Sequence, residues 1–372
     1  MKKSLIFGII ALLLLAACAQ VEQKPFKIGV VTPMSGPNAW IGEFNTAALE
    51  TGKEEINAQG GINGRNIEFV FEDADNAAKS TTATTKLIQQ DNVDLIYSVT
   101  TPVTAGASAV AEQNSVPLFG FTAVPSFAKK NTWVFSDLRD AVQECRLLSQ
   151  AALKNGHKRI AFLGNDADFS VECIDVLKAE FVPQGGEIIA NEMKVSNDPD
   201  ARTSVTKIKS LNPDAVVLVC WPPDCNMIYK QMIELDFVPQ FYLPIGIPLS
   251  ANPASVKDLD KDRILHDAFA ADQGINPDQP TPELAAMRKK VETRIGKTLT
   301  SPADTAVGYD NLFEIAEAAK KCPEITNTCL RDKLAETDYT GVAGHVAFNG
   351  KHYAARPIRV VQYKDGKWVA YE

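Results

Sequence analysis

The chain has 372 residues, of which 45% are hydrophobic, and this is enough for two domains that each bury a core. Its 46 acidic residues outnumber its 38 lysines and arginines, so its formal net charge at pH 7 is −8. Because proteins that bind nucleic acids need a basic surface to neutralise phosphates, this charge argues against nucleic acid as a partner.

The N-terminal residues have the pattern of a secretory signal. Met1–Lys3 is basic, and the apolar run Leu5–Leu15 that follows is too short to span a bilayer as a stable helix. We therefore expect residues 1–17 to be removed on export. Because two lysines leave with them, 36 lysines and arginines then face 46 acidic residues, which is a formal charge of −10.

The signal ends in Leu15-Ala16-Ala17-Cys18, which looks like a lipobox. This motif predicts that Cys18 becomes the lipidated N-terminus of a lipoprotein and that residues 18–25 form a tether. The alternative is an ordinary signal peptide followed by a chance cysteine. No later stretch of the sequence is long and apolar enough to span a bilayer, so we expect attachment to the membrane through the lipid anchor only.

The first folded segment reads as a complete βαβ unit. A short apolar run at residues 28–31 predicts a buried strand, and the Pro, Ser and Gly of residues 32–37 predict a loop. A helix follows, because apolar or small residues recur every four positions from Phe44 to Ile56. Gly60 ends it, and alternation over residues 67–71 predicts a second strand. Such units imply a parallel sheet, with ligands beyond the carboxyl ends of its strands.

This segment also carries a specific combination of motifs, which are Ile28-Gly29-Val30-Val31, Met34-Ser35-Gly36-Pro37, Ile56-Asn57-Ala58-Gln59-Gly60-Gly61-Ile62-Asn63-Gly64 and Glu72-Asp73-Ala74-Asp75. Together they resemble the opening of the branched-chain amino-acid-binding proteins of bacterial ABC importers. The resemblance continues, more weakly, to the C-terminus. It implies an α/β fold of two doubly wound Rossmann-like lobes joined by a three-strand hinge, the type I periplasmic binding fold.

The pattern of strands and helices continues along the chain. Further strands are predicted at 93–97, 116–121, 133–135, 159–163, 188–193, 215–220, 241–243, 358–363 and 368–371. Further helices are predicted at 105–114, 141–154, 170–181, 201–210, 225–236, 282–295 and 302–320. Two successive α/β blocks of this kind indicate two doubly wound domains.

The lobe boundaries follow from the resemblance, because composition does not mark them. It implies three crossings between the lobes, near residues 137–140, 268–271 and 341–350. We therefore expect lobe 1 to contain residues 26–138 and 273–343, and lobe 2 to contain residues 139–272 and 344–372. A hinge of three crossings permits the lobes to close around a ligand.

Six cysteines follow Cys18, and export makes disulfides their expected use. Two pairs would close short loops and the third follows by elimination, which predicts Cys220 with Cys225, Cys322 with Cys329, and Cys145 with Cys173. A metal site is the competing interpretation. It is disfavoured by the lack of a paired CxxC motif and by the scatter of the four histidines, which are His157, His266, His345 and His352.

Two loops of lobe 1 are candidates for binding a carboxylate. The threonine-rich loop Ser98–Thr104 lies between a strand and a helix, where hydroxyls and free backbone N–H groups can hold an anion. In the resembling family this loop does so, which implicates Thr100 and Thr101. The alternative is a loop whose threonines serve capping alone. The second loop, Thr122-Ala123-Val124, falls where the family usually has a Ser/Ala-Ala-Thr run, with Val124 in place of the hydroxyl and Thr122 as a compensating donor.

Aromatic residues are candidates for the apolar walls. Phe169 and Trp221 follow strands of lobe 2, at positions where the family often has aromatic residues, and Trp40 and Ile41 lie in the first loop of lobe 1. Spacing alone favours a core role for such residues. Their shared position at strand ends favours the ligand site instead.

Two departures from the family concern the ligand's amino group. Ile245 falls where leucine-binding relatives have the glutamate that pairs with the ammonium, and Asp304 falls where they usually have an aromatic wall. Asp304 could take over the ammonium, so that an amino acid remains the ligand. Alternatively, Asp304 faces solvent or caps its own helix, and the ligand then lacks an amino group because a buried ammonium needs a partner.

The sequence lacks the GxSxG, HExxH and post-strand GxGxxG motifs of common enzyme classes. The resemblance implies a protein on the outer side of the membrane that needs no cofactor, performs no catalysis and delivers a small amino acid or related carboxylate to an ABC permease. Two alternatives with the same fold are a ligand sensor and a structural protein of the cell envelope. A permease and ATPases among the gene's neighbours would distinguish transport from sensing.

Overall fold

The computed structural model describes residues 24–195, 198–245, 251, 256–273, 280–299 and 301–371. The predicted signal peptide, the lipidation site Cys18 and most of the tether lie outside these residues. Within the described ranges, no helix has the length and the apolar composition that a membrane span requires.

The strands, numbered in chain order, are β1 (Phe26–Thr32), β2 (Ile67–Asp73), β3 (Leu95–Val99), β4 (Leu118–Phe121), β5 (Val134–Phe135), β6 (Arg159–Asn165), β7 (Glu187–Lys194), β8 (Ala215–Leu218), β9 (Phe241–Leu243), β10 (Phe269–Asp272), β11 (Asp338–Gly341), β12 (Gly344–Ala347), β13 (Arg359–Lys364) and β14 (Lys367–Ala370).

The α-helices are α1 (Ala39–Ala58), α2 (Ala77–Gln89), α3 (Thr101–Asn114), α4 (Ser126–Lys130), α5 (Ala141–Lys154), α6 (Asp168–Val176), α7 (Arg202–Ser210), α8 (Asp224–Glu234), α9 (Lys261–Ile264), α10 (Pro282–Ile295), α11 (Pro302–Lys320) and α12 (Asn327–Ala335). A π-helical turn, Leu177–Phe181, and a 3₁₀ turn, Val182–Gln184, continue α6.

The first sheet is parallel throughout, with the strand order β2-β1-β3-β4-β5. Both of its faces are buried, because neighbouring residues of one strand enter different cores. Val30 belongs to the cluster that contains Ala48 of α1, and Val31 belongs to the cluster that contains Leu87 of α2. A parallel sheet needs helices on both faces, and the continuous apolar run of β1 meets that need.

The second sheet has the order β14-β13-β10-β9-β8-β6-β7. Strands β7, β6, β8, β9 and β10 pair in parallel, whereas β13 pairs antiparallel with both β10 and β14. A parallel sheet and a mostly parallel sheet, both with helices packed on them, confirm the predicted α/β fold class. The carboxyl edges of the two sheets supply the two sides of the cavity described below.

A small hairpin of β11 and β12 was not predicted, and it spans the expected lobe boundary between residues 343 and 344. Phe348, directly after it, packs edge-on against Phe119 and Phe135 of the first sheet, with ring centroids 6.1 and 5.9 Å apart. We therefore propose that the third crossing lies at 354–358, after Tyr353, instead of at 341–350. The other lobe boundaries remain predictions.

All three predicted disulfides form, with Cα atoms 5.4 Å apart in Cys145–Cys173, 5.2 Å apart in Cys220–Cys225 and 5.9 Å apart in Cys322–Cys329. The first links α5 to α6 on the second sheet. The second closes the loop between β8 and α8. Both therefore fix segments that end at the cavity.

Candidate ligand-binding site

A cavity lies between the carboxyl edges of the two sheets and opens to solvent, with about 970 Å³ of space when its mouth is included. Of the residues predicted to form the site, the structure brings nine together in its lining, and these are Trp40, Ile41, Thr100, Thr101, Thr122, Ala123, Phe169, Trp221 and Asp304. The cavity is thus built from both sheets. Val124 and Ile245 do not line it.

The first sheet contributes the beginning of α3. Pro102 occupies the first turn of this helix, where a missing N–H group costs nothing, and no side chain caps the helix through its N-cap residue, Thr100. Thr100 has φ 82° and ψ 154°, a region that is almost confined to glycine. This backbone conformation is strained for a β-branched residue, and it ends β3 beside the cavity. Uncapped helix N-termini attract anions.

Two hydroxyls add to this anion-binding edge. The Thr101 and Thr122 Oγ1 atoms are 3.0 Å apart and share a hydrogen bond. The backbone N–H of Val124 donates to the Thr122 hydroxyl at 3.2 Å. The loop therefore turns so that Thr122 lines the cavity, whereas Val124 belongs to the hydrophobic core and does not line it. The ligand contact of Val124 and the role of Thr122 as the compensating hydroxyl stay predictions.

Aromatic rings from both sheets form the apolar lining. On the side of the second sheet, Phe169 and Trp221 meet edge to face, with centroids 6.0 Å apart and an interplanar angle of 86°. On the side of the first sheet, Phe44 lies between Trp40, at 5.8 Å, and Phe121, at 6.5 Å. Edge and tilted contacts of this kind are favourable arrangements for aromatic rings.

Close packing fixes the position of Trp40 and Ile41. A Cβ atom added to Gly42 would lie 1.8 Å from the carbonyl oxygen of Pro33. Glycine therefore lets the first turn of α1 press against the loop after β1, and this brings its aromatic residue to the cavity. The periodicity of α1 predicted the buried face of Phe44 but not its place in the ligand site.

Asp304 does not face solvent, and its role toward a ligand ammonium stays a prediction. It lies in the first turn of α11 and is only 1% exposed. The Arg139 Nη1 group donates to its Oδ1 atom. Its Oδ2 atom accepts a hydrogen bond of 3.0 Å from the Ser301 hydroxyl, and Gln273 Nε2 lies 3.4 Å from Oδ1. The buried aspartate therefore already has a counter-charge, and both of its oxygen atoms have donors.

Arg139 is the main site residue that the sequence did not identify. It lies between β5 and α5, lines the cavity and is 4% exposed. Its Nε atom lies 3.8 Å from Oε1 of Glu144, so the guanidinium faces two buried carboxylates. No local pattern separates it from the many exposed arginines of the sequence. Its pairing with Asp304 becomes visible only in the folded chain.

Ile245 lies outside the cavity because its backbone serves another contact. Its side chain is fully buried, its φ is 60°, and its N–H group donates to Glu144 Oε2 at 3.0 Å. Burial raises the pKa of Glu144 to about 7, against the opposing effects of Arg139 and of the Ile245 N–H group. Position 245 itself has no carboxyl group, but the buried carboxyl group of Glu144 lies next to its backbone.

The second sheet supplies another ion pair. Lys194, at the end of β7, lies 3.5 Å from the carboxylate of Asp224, in the first turn of α8, and Asp224 lines the cavity. Asn165, also in the lining, ends β6 and accepts a hydrogen bond of 3.0 Å from the Ser170 hydroxyl. Asp224 lies within the disulfide loop beside Trp221, and this position was the available sequence signal for it.

Among the described residues, no group of three or more His, Cys, Asp and Glu side chains could hold a metal ion. The chemical features of the cavity are instead hydroxyls, helix N–H groups, aromatic rings and two ion pairs. This arrangement can bind an anion with an apolar body. The two lining carboxylates within the described ranges, Asp224 and Asp304, each face a cation and so are not placed as a general acid and base.

Comparisons with known proteins agree with this geometry. Residues 25–367 match the sequence profile of a family described as periplasmic binding protein. Leu/Ile/Val-binding protein homolog 7 of Brucella suis biovar 1 is 26% identical and aligns with 99% of this chain and 96% of its own length. Leu/Ile/Val-binding protein BraC3 of Rhizobium johnstonii is also 26% identical, over 59% of this chain and 61% of its own length.

Two solved structures share the fold at lower identity. The branched-chain amino acid transporter substrate-binding protein LivJ of Streptococcus pneumoniae, in complex with isoleucine, superposes with a TM-score of 0.79 at 22% identity, covering 93% of this chain and 98% of its own. A solute-binding protein of an ABC transporter from R. palustris, in complex with benzoate, superposes with a TM-score of 0.80 at 21% identity, covering 93% and 95%.

Proposed function

This chain belongs to the periplasmic binding protein family, and from that premise we propose that it captures a small amino acid or related carboxylate between its two lobes and delivers it to an ABC permease. The observation that carries the proposal is the composition of the cavity. One wall presents an uncapped helix N-terminus with two hydroxyls, and the other presents aromatic rings.

The polar wall suits a carboxylate. The first-turn N–H groups of α3 and the hydroxyls of Thr101 and Thr122 are donors, and the helix dipole adds positive potential at the same point. Donors fixed in this way stabilise an anion without a full opposing charge. Hydrogen bonds to charged groups contribute more than those between neutral groups.

The aromatic wall suits an apolar ligand body. Phe169 and Trp221 from the second sheet face Trp40 and Phe44 from the first. The structural relatives are consistent with this, since one was crystallised with isoleucine and the other with benzoate, and each of these ligands joins a carboxylate to an apolar group. Burial of that group against the rings contributes most of the affinity.

Capture would close the protein. Because the carboxylate contacts the first sheet and the apolar body contacts Trp221 on the second, a bound ligand links both lobes and favours the closed arrangement. The closed arrangement would be what the permease recognises. We further propose that the lipidated Cys18 holds the protein at the outer face of the membrane, in reach of that permease.

The first experiment identifies the ligand. The protein is purified without denaturation, and the small molecules that co-purify with it are identified by mass spectrometry. The binding of each candidate to the ligand-free protein is then measured by titration calorimetry. Binding should reduce the size measured by small-angle scattering and change Trp fluorescence. A confirmed ligand that leaves both observables unchanged would exclude the closing mechanism. A deletion strain that takes up the ligand normally but has lost its response to it would identify a sensor.

Membrane attachment has a separate test. Replacement Cys18→Ser should release the exported protein from the membrane fraction into the soluble fraction, detected by immunoblotting. Retention of the variant in the membrane fraction would show that the Leu15-Ala16-Ala17-Cys18 motif is not a lipidation signal.

A further inference from the structure

We propose that Arg139 determines the ligand class, by making the cavity select carboxylic acids that lack an amino group, such as 2-oxo acids, over the corresponding amino acids. The inference rests on the proposed function, because it concerns the same cavity. It goes beyond that function because capture of a carboxylate requires neither Arg139 nor a preference for acids without an amino group.

The position of Arg139 places a permanent positive charge in the cavity lining. The residue follows β5, and the neighbouring backbone is held to the ligand loop by a hydrogen bond of 3.0 Å from Ala141 N–H to the carbonyl of Ala123. Its side chain is 5% exposed. A guanidinium group stays protonated under all physiological conditions, so burial does not remove its charge.

Arg139 keeps hydrogen-bond donors to spare. Its Nη1 group donates to Asp304, and its Nε atom is buried 3.8 Å from Glu144, out of reach of a ligand. Within the described part of the chain, no hydrogen bond from its Nη2 group is found, so the donors of Nη2 are the spare ones. Because guanidinium has five N–H donors and no acceptor, this side chain can receive an oxygen atom of the ligand and cannot receive an ammonium group.

The carboxylates of the cavity do not compensate. Asp304 already accepts hydrogen bonds from Arg139 and Ser301, and Asp224 faces Lys194 at 3.5 Å. A ligand ammonium in this lining would approach a cation at either aspartate, or would have to displace one from its buried pair. Both outcomes are unfavourable in a desolvated site, where like charges repel strongly.

An oxygen in place of the amino group reverses this balance. The carbonyl oxygen of a 2-oxo acid accepts N–H bonds, so it can take a donor of Arg139 while the carboxylate remains at Thr101 and the N-terminus of α3. An acid without any substituent there loses that bond but still avoids the repulsion. The arrangement therefore favours both classes over an amino acid.

The test uses matched ligand pairs on one protein. Dissociation constants are measured by calorimetry for 4-methyl-2-oxopentanoate and leucine, and for phenylpyruvate and phenylalanine. The wild type should bind the oxo acid of at least one pair about tenfold or more tightly, because juxtaposed like charges are strongly disfavoured. Arg139→Gln should raise the dissociation constant of the oxo acid by about tenfold or more. The dissociation constants of the oxo acid and the amino acid should then differ by less than about threefold.

Further variants separate charge from folding. Arg139→Lys keeps the positive charge, so it should still disfavour the amino acid even though it loses the fork of donors. Arg146→Gln is the matched control, since Arg146 is on α5 but pairs with Glu180 outside the cavity lining, and it should leave both constants unchanged. Because each ratio compares two ligands on the same variant, a reduced folded fraction does not alter it. If Arg139→Gln fails to fold, the test rests on Arg139→Lys, for which the ratio of the amino-acid and oxo-acid dissociation constants is measured.

The outcomes separate this inference from the proposed function. A wild type that prefers the amino acid in both pairs, or an Arg139→Gln variant that weakens both ligands of a pair equally, would overturn the role of Arg139 while capture of a carboxylate stands. An Arg139→Lys variant without any preference would also overturn it. A wild type that binds neither these ligands nor any other carboxylate would overturn the proposed function and the inference together.

Discussion

The two walls of the cavity are built by different means. On the first sheet, the donors for a carboxylate come from the backbone at the start of α3 and from two hydroxyls. On the second sheet, the ligand would meet the aromatic side chains of Phe169 and Trp221. In the proposed function, the carboxylate would thus be bound by main-chain N–H groups with two hydroxyls, and the ligand body by aromatic side chains.

The two walls therefore differ in how strongly they depend on the identity of their residues. Backbone N–H groups are present whatever the side chains are, so an anion site of this kind tolerates substitution. The aromatic wall depends on residue identity, and two disulfides, Cys145–Cys173 and Cys220–Cys225, hold the segments that carry it. A change of ligand body therefore requires changes among the aromatic side chains, which come from both sheets, whereas the carboxylate end can stay as it is.

The cavity lining also contains the buried ion pair of Arg139 and Asp304, and its removal should have the largest effect on stability. Asp304→Ala leaves the buried Arg139 without its main partner, next to a carboxyl group that is itself costly to ionise. Breaking a buried pair from one side typically lowers the free energy of unfolding by about 3 to 5 kcal/mol. Urea denaturation followed by circular dichroism measures this change.

The control for this prediction is a solvent-accessible pair beside α2. Asp75, just before the N-cap of that helix, lies 2.9 Å from Lys79, and the two side chains are 29% and 55% exposed. Asp75→Ala should cost less than about 1 kcal/mol, because exposed pairs contribute little. Equal effects of the two substitutions would contradict the structural importance of the Arg139–Asp304 pair.

A second prediction concerns pH. Burial raises the pKa of Glu144 from its ordinary 4.5 to about 7, so between these values the folded protein holds a proton that the unfolded chain has lost. Stability should therefore fall as pH rises from about 5 to 8. The contribution of Glu144 to this fall is at most about 3 kcal/mol, and Glu144→Gln should remove it.

The measurement compares wild type and variant at pH 5 and pH 8 by denaturant unfolding. The groups that act on Glu144 are Arg139, Asp304, Asp140 and Tyr353, and they remain in both proteins. Asp310, whose pKa burial raises to about 6, also remains, so part of the pH dependence persists in the variant. An identical pH dependence in the two proteins would mean that Glu144 is ionised in the folded state over this range.

The third prediction compares the walls directly through ligand binding. Trp221→Ala should weaken binding by about 1 to 3 kcal/mol, the contribution of burying one large apolar side chain, and the loss should grow with the apolar size of the ligand. Thr101→Val removes a hydroxyl at nearly constant volume and should weaken every carboxylate by a similar amount, about 1.5 to 3 kcal/mol.

Calorimetric titration of a series of acids of increasing size tests this contrast. Trp368→Ala is a suitable control, because Trp368 packs against Tyr363 at the far edge of the second sheet. It should leave all affinities unchanged. If the loss of binding free energy depends on ligand size in the same way for Trp221→Ala and Thr101→Val, the two walls do not bind different parts of the ligand.

Much of the fold was predictable from local patterns. The predicted helices at 141–154, 282–295 and 302–320 agree with α5, α10 and α11 to the residue. Each has local boundary signals that the sequence shows, since Asp140 caps α5 with its side chain and a proline starts both others. The hairpin of β11 and β12 was missed because its strands are short and mostly exposed, so their periodicity is weak.

Lining residues could be predicted where their position at a strand end places them in the cavity. They could not be predicted where the site depends on two charged residues that are far apart in the sequence. Thr101, Thr122, Phe169 and Trp221 follow strand ends, and every parallel strand points its carboxyl end toward the same edge. Arg139 and Asp304 are 165 residues apart in the chain, and nothing in the sequence near either one shows that they are paired. Sequence periodicity shows which residues are buried on one element, but not which buried charge meets which.

The last prediction, and the smallest effect, concerns the strained residue of the polar wall. Thr100 has φ 82° and ψ 154°, and a non-glycine residue in this region costs about 1 to 3 kcal/mol. Thr100→Gly relieves that cost but adds about 0.5 to 1 kcal/mol of unfolded-state entropy, so the free energy of unfolding should rise by about 1 kcal/mol. Denaturant unfolding of the unliganded protein measures it.

The matched control is Asn92→Gly, because Asn92 also has a positive φ, 52°, but on an exposed loop in a conformation that asparagine tolerates. It should change stability by less than about 0.5 kcal/mol. Carboxylate affinity gives the functional side of the test. If the strain holds the start of α3 toward the ligand, Thr100→Gly should bind more weakly while it folds more stably, because the glycine loop can leave that conformation. A variant whose stability does not rise and whose binding is not weakened would show that Thr100 is not strained in the protein. The geometry of the polar wall would then depend on its hydrogen bonds, such as those from Thr100 N–H to the carbonyl of Phe121 and between Thr101 and Thr122.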